Sequence, residues 1–419
     1  MSEHIDPIVA RLMINTLGGY GTPPELGIEY YTVGLDSYLK PLEEEYFNFP
    51  GRQSISTFKL VVGNYGGGKT HFLYSIRNLA WKYHYATSYV SLSATECPFD
   101  RLELVYKSVV LNITPPLKES EMMNPYERGI EALLRRWYTQ VRMERDFLSL
   151  IKALESTSYT NCLKGALSNL AADDEEGFLT LVQWLKGEDI PREVKLRYRI
   201  SEKIDRSSAF RMLRSLIQFV NTIGYNGLVL LFDEAERGMS ISSARDKRRA
   251  LDNLRQIIDE CGNSRLPGAM FFYALSDENL LLEGTGGVYE ALKQRLRSSF
   301  TRINPVGVKI DLERIEIEPM EFLLKLGEKL AHIYTAAYNC EFNDEMLKKS
   351  IKNMASVVLE MQLLDISYRR IFVVGMIDAL QQLRSFNTPI DRETARQILK
   401  TRTKELLEKE KEEVERAEF

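Results

Sequence analysis

Thr57-Phe58-Lys59-Leu60-Val61-Val62-Gly63-Asn64-Tyr65-Gly66-Gly67-Gly68-Lys69-Thr70 is the stretch whose reading decides the fold. From Gly63 to Thr70 it spells G-x-x-x-x-G-K-T. The six residues before it are β-prone, and Phe72, Leu73, Ile76, Leu79, Ala80 and Tyr83 follow at helical spacing. Strand, glycine loop and helix in that order predict a phosphate-binding loop, whereas a glycine turn with an incidental lysine needs neither flank. Glycines let backbone N–H groups turn inward around an anion with no Cβ in the way. A helix starting near Lys69 points its positive end at the same anion. The Lys69 ammonium can reach the outer phosphates, and the Thr70 hydroxyl can join a Mg²⁺ shell.

Working outward, the matching half lies at Leu228-Val229-Leu230-Leu231-Phe232, just after Gly227. An unbroken apolar run suits a strand buried on both faces of a parallel sheet. Asp233-Glu234-Ala235-Glu236 follows at the carboxyl edge, where open α/β sheets place their ligands. Asp233 is expected to hold Mg²⁺ through a water opposite Thr70, and Glu234 to polarise an attacking water. Glu236 is a reserve for that water or an ordinary acid at a helix start. The glycine loop and the carboxylate pair are expected on adjoining strands. No N-K-x-D guanine signature is present, so the expected nucleotide is ATP.

Further strands are predicted at Ser88–Leu92, Met270–Leu275 and Val308–Ile310, and a helix from Leu35 to Phe47. Between Phe99 and Gln218 the spacing is mostly helical, with periodic stretches at Leu104–Leu111, Ile130–Trp137 and Phe147–Leu154 and an element ending at Trp184-Leu185-Lys186-Gly187. This insertion is too long and too patterned for a loop; it is a helical subdomain or added bulk. A basic amphipathic helix follows the acidic strand, with Arg245, Lys247, Arg248 and Arg249 outward. After Glu318-Pro319 four helical patterns follow, over Met320–Tyr338, Asp344–Met361, Tyr368–Ser385 and from Asp391 on.

The predicted fold is α/β: a P-loop NTPase parallel sheet with a helical insertion and a C-terminal helical lid. The expected divisions are an N-terminal segment flanking the nucleotide site (1–56), an ATPase domain (57–317) with its insertion at 99–218, the lid (318–399) and a charged helix or tail (400–419). The 419 residues are 44% hydrophobic and 27% charged, which describes an ordinary globular chain. No apolar run is long enough for a bilayer, and Met1-Ser2-Glu3-His4 lacks a signal-peptide core. Cys97, Cys162, Cys261 and Cys340 lie far apart with no C-x-x-C pair, so reduced thiols in the cytoplasm are expected. A net charge of −4 argues against a surface that grips nucleic acid everywhere, but allows a local basic groove.

Three weaker candidates remain. Ser276, at a strand end, is placed to sense the γ-phosphate or to cap a helix. Arg295 and Arg297 could supply an arginine finger to a neighbouring subunit or line an exposed helix. Arg369, beside Arg370, could fold onto the phosphates from the lid or stay on the surface.

The same pieces resemble the AAA+ ATPases, among them the initiator and helicase-loader group, and more narrowly the P-loop ATPases of BREX bacteriophage-defence islands of the BrxC/BrxD type. Thr32-Val33-Gly34, Gly63 to Leu73 (with His71 after Thr70), Val90-Ser91-Leu92-Ser93, Trp184-Leu185-Lys186-Gly187, Gly227 to Glu236 and Gly286 to Leu292 running into Gln294-Arg295-Leu296 carry the resemblance. It implies an intracellular ATPase that works on or beside DNA, often with a helicase or other defence-system protein. It implies core roles for Lys69, Thr70, Asp233 and Glu234, a sensor-1 position at Ser276 and a sensor-2 position at Arg369. Asn387 to Phe419 is too short for the winged-helix domain of the loaders, so any DNA contact would come from Arg245–Arg249 or a partner.

The expected function is therefore an ATP-hydrolysing, self-assembling protein acting on DNA or a DNA-processing partner, with Mg²⁺ and no membrane. The alternative is a nucleotide-gated assembly switch with slow hydrolysis and no direct DNA binding. A small-molecule kinase leaves the insertion, the Asp-Glu pair and the lid without a task.

Overall fold

Apolar runs flanked by helices lead to a mixed α/β architecture with a six-stranded, mostly parallel sheet. The computed structural model describes residues 5–124, 127–282, 287–314, 316–361 and 367–418. Met1-Ser2-Glu3-His4, Gly286 and Phe419, all used above, lie outside these. Packing divides the chain into two units. One holds Lys40–Val62 and Ile76–Asp311; the other holds Met1–Leu39, Gly63–Ser75 and Leu312–Phe419.

The first unit carries the whole sheet: β1 (Thr57–Val62), β2 (Ala86–Ser91), β3 (Ile113–Thr114), β4 (Leu228–Asp233), β5 (Ala269–Leu275) and β6 (Lys309–Asp311). Their order is β3-β2-β4-β5-β1-β6, and only β3 runs antiparallel, against β2. The glycine-loop strand β1 and the acidic strand β4 are thus not adjoining: β5 lies between them. Every residue of β4 and β5 is buried, the signature of strands covered on both faces. Gly227 enters β4 where a Cβ would stand 1.9 Å from the Gly268 carbonyl, so only glycine lets β4 and β5 begin side by side.

Phe99, Phe232 and Tyr273 pack edge to face over the sheet, with ring centroids 5.1 Å apart for Phe99–Tyr273 and 5.9 Å for Phe99–Phe232. The same apolar core runs on into the helices Leu102–Asn112, Gly129–Val141, Thr157–Ala171, Glu175–Leu185 and Ala209–Thr222. Inside it Tyr106 donates its hydroxyl to the Leu185 carbonyl at 2.9 Å. The periodic stretch at Phe147–Leu154 yields only a short 3₁₀ turn, Phe147–Leu150. The polar groups just beyond it serve the next helix instead: Ser156 caps it by accepting from the Tyr159 N–H, and Thr160 Oγ1 accepts the Leu154 N–H. Toward the N-terminus, Asp36–Leu42 is α-helical and Glu43–Phe47 widens to a π turn. Pro41, which supplies no N–H, interrupts the ladder just before it.

In the second unit the helices Pro7–Tyr20, Pro319–Tyr338, Asp344–Glu360, Tyr368–Phe386 and Arg392–Glu418 pack on one another. The first has no counterpart among the sequence expectations. Asp6 caps it and Gly21, at φ 63°, closes it. Among the described residues no helix is long and apolar enough to cross a membrane, and all four cysteines are free.

Candidate functional site

The parallel strands β4, β5 and β1 present their carboxyl ends, Asp233, Leu275 and Val62, on one edge of the sheet. At β4 that edge is acidic. Asp233 is 2% exposed. Its Oδ2 accepts the Tyr89 hydroxyl at 2.7 Å, and its Oδ1 accepts the Glu234 N–H at 2.9 Å. Glu234 stands at φ 52°, ψ 39°, a left-handed conformation that costs a non-glycine residue about 1 kcal/mol or more. Such strain turns the chain abruptly at the strand end. Glu234 Oε2 then accepts the Ser91 hydroxyl at 2.8 Å and lies 3.3 Å from Arg237. Ser91 pairs in register with Asp233 across β2 and β4. Glu236 turns toward the end of β5, where its carboxylate accepts the Ser276 N–H at 3.3 Å.

The glycine loop belongs to the other unit. Gly66 and Gly68 have φ of 71° and 98°, conformations that L side chains rarely adopt. Lys69 Nζ donates to the carbonyls of Gly63 at 2.9 Å and Asn64 at 3.3 Å. Lys69 and Thr70 open the helix Lys69–Lys82. His71, one residue on, is half-buried: its Nε2 is 2.9 Å from Thr32 Oγ1 and its ring meets Tyr31 edge-on. Burial, with the Lys329 charge nearby, pushes its pKa down to about 3, so the ring is neutral. Arg369 reaches the loop, donating from Nη1 to Gly67 O at 2.9 Å and to Leu312 O at 3.4 Å. Arg370 lies over the Tyr65 ring. Arg295, in the sheet-bearing unit, is engaged with both oxygens of Asp259 and with Ala291 O.

Within the loop's own unit, Thr32, Val33, Gly34, Asp36, Ser37 and Ile317 help to line a cavity of about 470 Å³, a volume in the range of small-ligand sites. The Ser37 hydroxyl is buried without a protein partner. An orphaned hydroxyl in a polar-and-apolar cavity, together with a cradle of positive-φ glycines, fits a nucleotide. Among the described residues no cluster of three or more His, Cys, Asp or Glu could hold a metal alone.

The family description "BREX system ATP-binding protein BrxC/D" matches residues 5–397 of this sequence. The chain belongs to that family. Searches of curated proteins and of solved structures found no match. ATP binding is the family's described property, and the match includes the glycine loop, the β4 carboxylates and Arg369. Tyr89, Ser37 and Glu313, all touching or lining these groups, were not singled out from sequence, and Ser91 entered only within the segment Val90-Ser91-Leu92-Ser93.

Proposed function

We propose that this chain is a P-loop NTPase of AAA+/ASCE type which binds ATP with Mg²⁺ and hydrolyses it, working on DNA or a DNA-processing partner such as a helicase in phage defence. The observation that carries hydrolysis is Glu234. A strained backbone and a hydrogen bond from Ser91 fix its carboxylate at the end of a buried strand. In this reading the glycine loop from Gly63 to Gly68 would cradle the phosphates, Lys69 would neutralise them, and Thr70 and Asp233 would hold the metal. Mg²⁺, when bound, offsets charge on the outer phosphates. Glu234 orients the water and takes its proton. Ser276 and Arg369 stand as the γ-phosphate sensors, and the Ser37 cavity takes the base.

The DNA reading rests on the helix Ala244–Gly262, where Arg245 and Arg248 are exposed. Arg249 is spent on Asp246 and Asp100. The second reading, an assembly switch with slow hydrolysis, is favoured by Arg295, whose guanidinium is held by Asp259 in its own chain.

Sizing the purified protein with ADP, with a non-hydrolysable ATP analogue and with added DNA, alongside ATP turnover, tests both. A motor assembles with the analogue and is stimulated by DNA, with steep salt dependence. Assembly with the analogue but no stimulation by any DNA favours the switch. No response to nucleotide in either measurement rejects both.

A further inference from the structure

Glu313 lies two residues beyond β6 and was absent from every expectation drawn from the sequence. Its Oε1 accepts the Asn64 N–H at 2.9 Å, inside the glycine loop. That N–H belongs to the peptide joining Gly63 to Asn64. The carbonyl of the same peptide, Gly63 O, accepts Lys69 Nζ at 2.9 Å. A trans peptide is planar, with N–H and C=O pointing opposite ways. Holding the N–H from one side therefore sets where the carbonyl, and with it Lys69, must point. Asn64 O, next along, accepts the Gly67 N–H at 2.8 Å and closes the turn.

Gly67 supplies an independent sign of the same fit. Gly66 and Gly68 are glycines for their positive φ, but Gly67 is not in that region. A Cβ on Gly67 would stand 2.7 Å from Glu313 Oε1 and 2.8 Å from Asn64 O. The middle glycine of the triplet is thus required by space, and part of that space is taken by the acid. On the other side of the segment, Leu312 O accepts from Arg369, whose Nη1 also holds Gly67 O. Leu312-Glu313 and Arg369 together grip the loop at Asn64 and at Gly67.

We infer that Glu313 is a positioning residue for ATP, a brace that presets the Gly63–Asn64 peptide and so the direction of Lys69. The inference rests on the reading that the phosphates sit on this loop. What the brace needs is an acceptor oxygen at the reach of a glutamate; the negative charge itself opposes a polyphosphate. Glutamine therefore replaces it and alanine or aspartate does not.

The test uses the full chain in two measurements. Hydrogen exchange of peptides spanning residues 62–71, without nucleotide, reports the brace itself. Titration with a fluorescent ATP analogue and Mg²⁺ reports its use. Glu313→Ala and Glu313→Asp should exchange faster through 63–67 and bind about fivefold more weakly, a modest loss for one charge-assisted hydrogen bond at an exposed site. Glu313→Gln should match the parent in exchange and bind at least as well. Unchanged exchange in Glu313→Ala, tighter binding by it, or a glutamine variant that behaves like alanine each overturns the inference. Lys69→Ala separates the two levels: if it binds ATP like the parent, the phosphate reading of the loop fails and the positioning role fails with it. If it loses binding while Glu313→Ala keeps it, only the brace is wrong.

Discussion

Tyr89 donates its hydroxyl to Asp233 Oδ2 at 2.7 Å, from β2 to the strand beside it. Tyr89 pairs in register with Leu231, so Asp233 is its diagonal neighbour on the same face of the sheet. With Oδ1 already accepting the Glu234 N–H, both carboxylate oxygens are tied before any metal arrives. The carboxylate keeps free lone pairs but loses its freedom to rotate. A preset acid meets a metal shell at less entropic cost than a swinging one.

Tyr89→Phe removes only that hydroxyl. The variant should need several-fold more Mg²⁺ for half-maximal ATP turnover, while ATP binding in chelator stays as in the parent. The stability loss should be about 1 kcal/mol, the net worth of one hydrogen bond. A Mg²⁺ titration of turnover checks this, and an unshifted curve would mean that Asp233 does not serve the metal.

Glu234 combines strain with the candidate base. Glu234→Gln should keep ATP bound and slow turnover by about 10²-fold or more, the usual scale for losing a general base. Glu234→Gly removes acid and strain together. Turnover should fall as far, while the thermal midpoint holds or rises, because glycine accepts φ 52° without a Cβ clash. A large drop in the midpoint would show that the Ser91 and Arg237 contacts outweigh the backbone strain.

How much of this was legible beforehand follows from where the information lies. β4 and β5 were found to within a residue because buried parallel strands write themselves as unbroken apolar runs, and β1, interrupted by Lys59, from its β-prone residues leading into the glycine loop. The order of strands was not: that β5 enters between β1 and β4 depends on crossovers, and no local pattern records it. β3 is two residues long, below any periodicity. The glycine loop, Asp233 and Glu234 were visible as a motif after a strand. Their supports, Tyr89, Ser91 and Glu313, were not, since each acts through a partner more than a hundred residues away. Arg295 shows the converse, a residue singled out by sequence whose hydrogen bonds go to Asp259 and its own helix.

The Ser37 cavity gives a prediction that separates base from phosphate. Ser37→Leu fills space near Val33 and Ile317 and deletes the orphaned hydroxyl. It should weaken ATP and ADP about tenfold, in line with overpacking costs of 1–3 kcal/mol, yet leave inorganic tripolyphosphate binding unchanged. Competition titrations with the two ligands read this directly. Equal losses for both would place the base elsewhere.

Lys59 offers a test of the fold that is independent of nucleotide. It is fully buried on β1, and Nζ donates to Tyr46 Oη at 2.9 Å, Pro305 O at 2.8 Å and Gly307 O at 2.7 Å. Burial pulls its pKa down to about 7, against the opposing pull of the Glu45 carboxylate. In the unfolded chain the same lysine titrates near its ordinary value of about 10.4. Between those values the unfolded state binds a proton that the folded state does not, so the lysine's contribution to stability rises with pH across that window. Below about pH 7 both states are protonated and the cost of burying the charge is felt in full. Denaturation midpoints of the parent and Lys59→Met should therefore diverge in the parent's favour from pH 7 to pH 9.5, by on the order of 2–3 kcal/mol. Parallel curves would mean that the three acceptors keep the ammonium charged throughout, with Lys59 pinning the Pro305–Gly307 turn to β1 as a cation at every pH in the range.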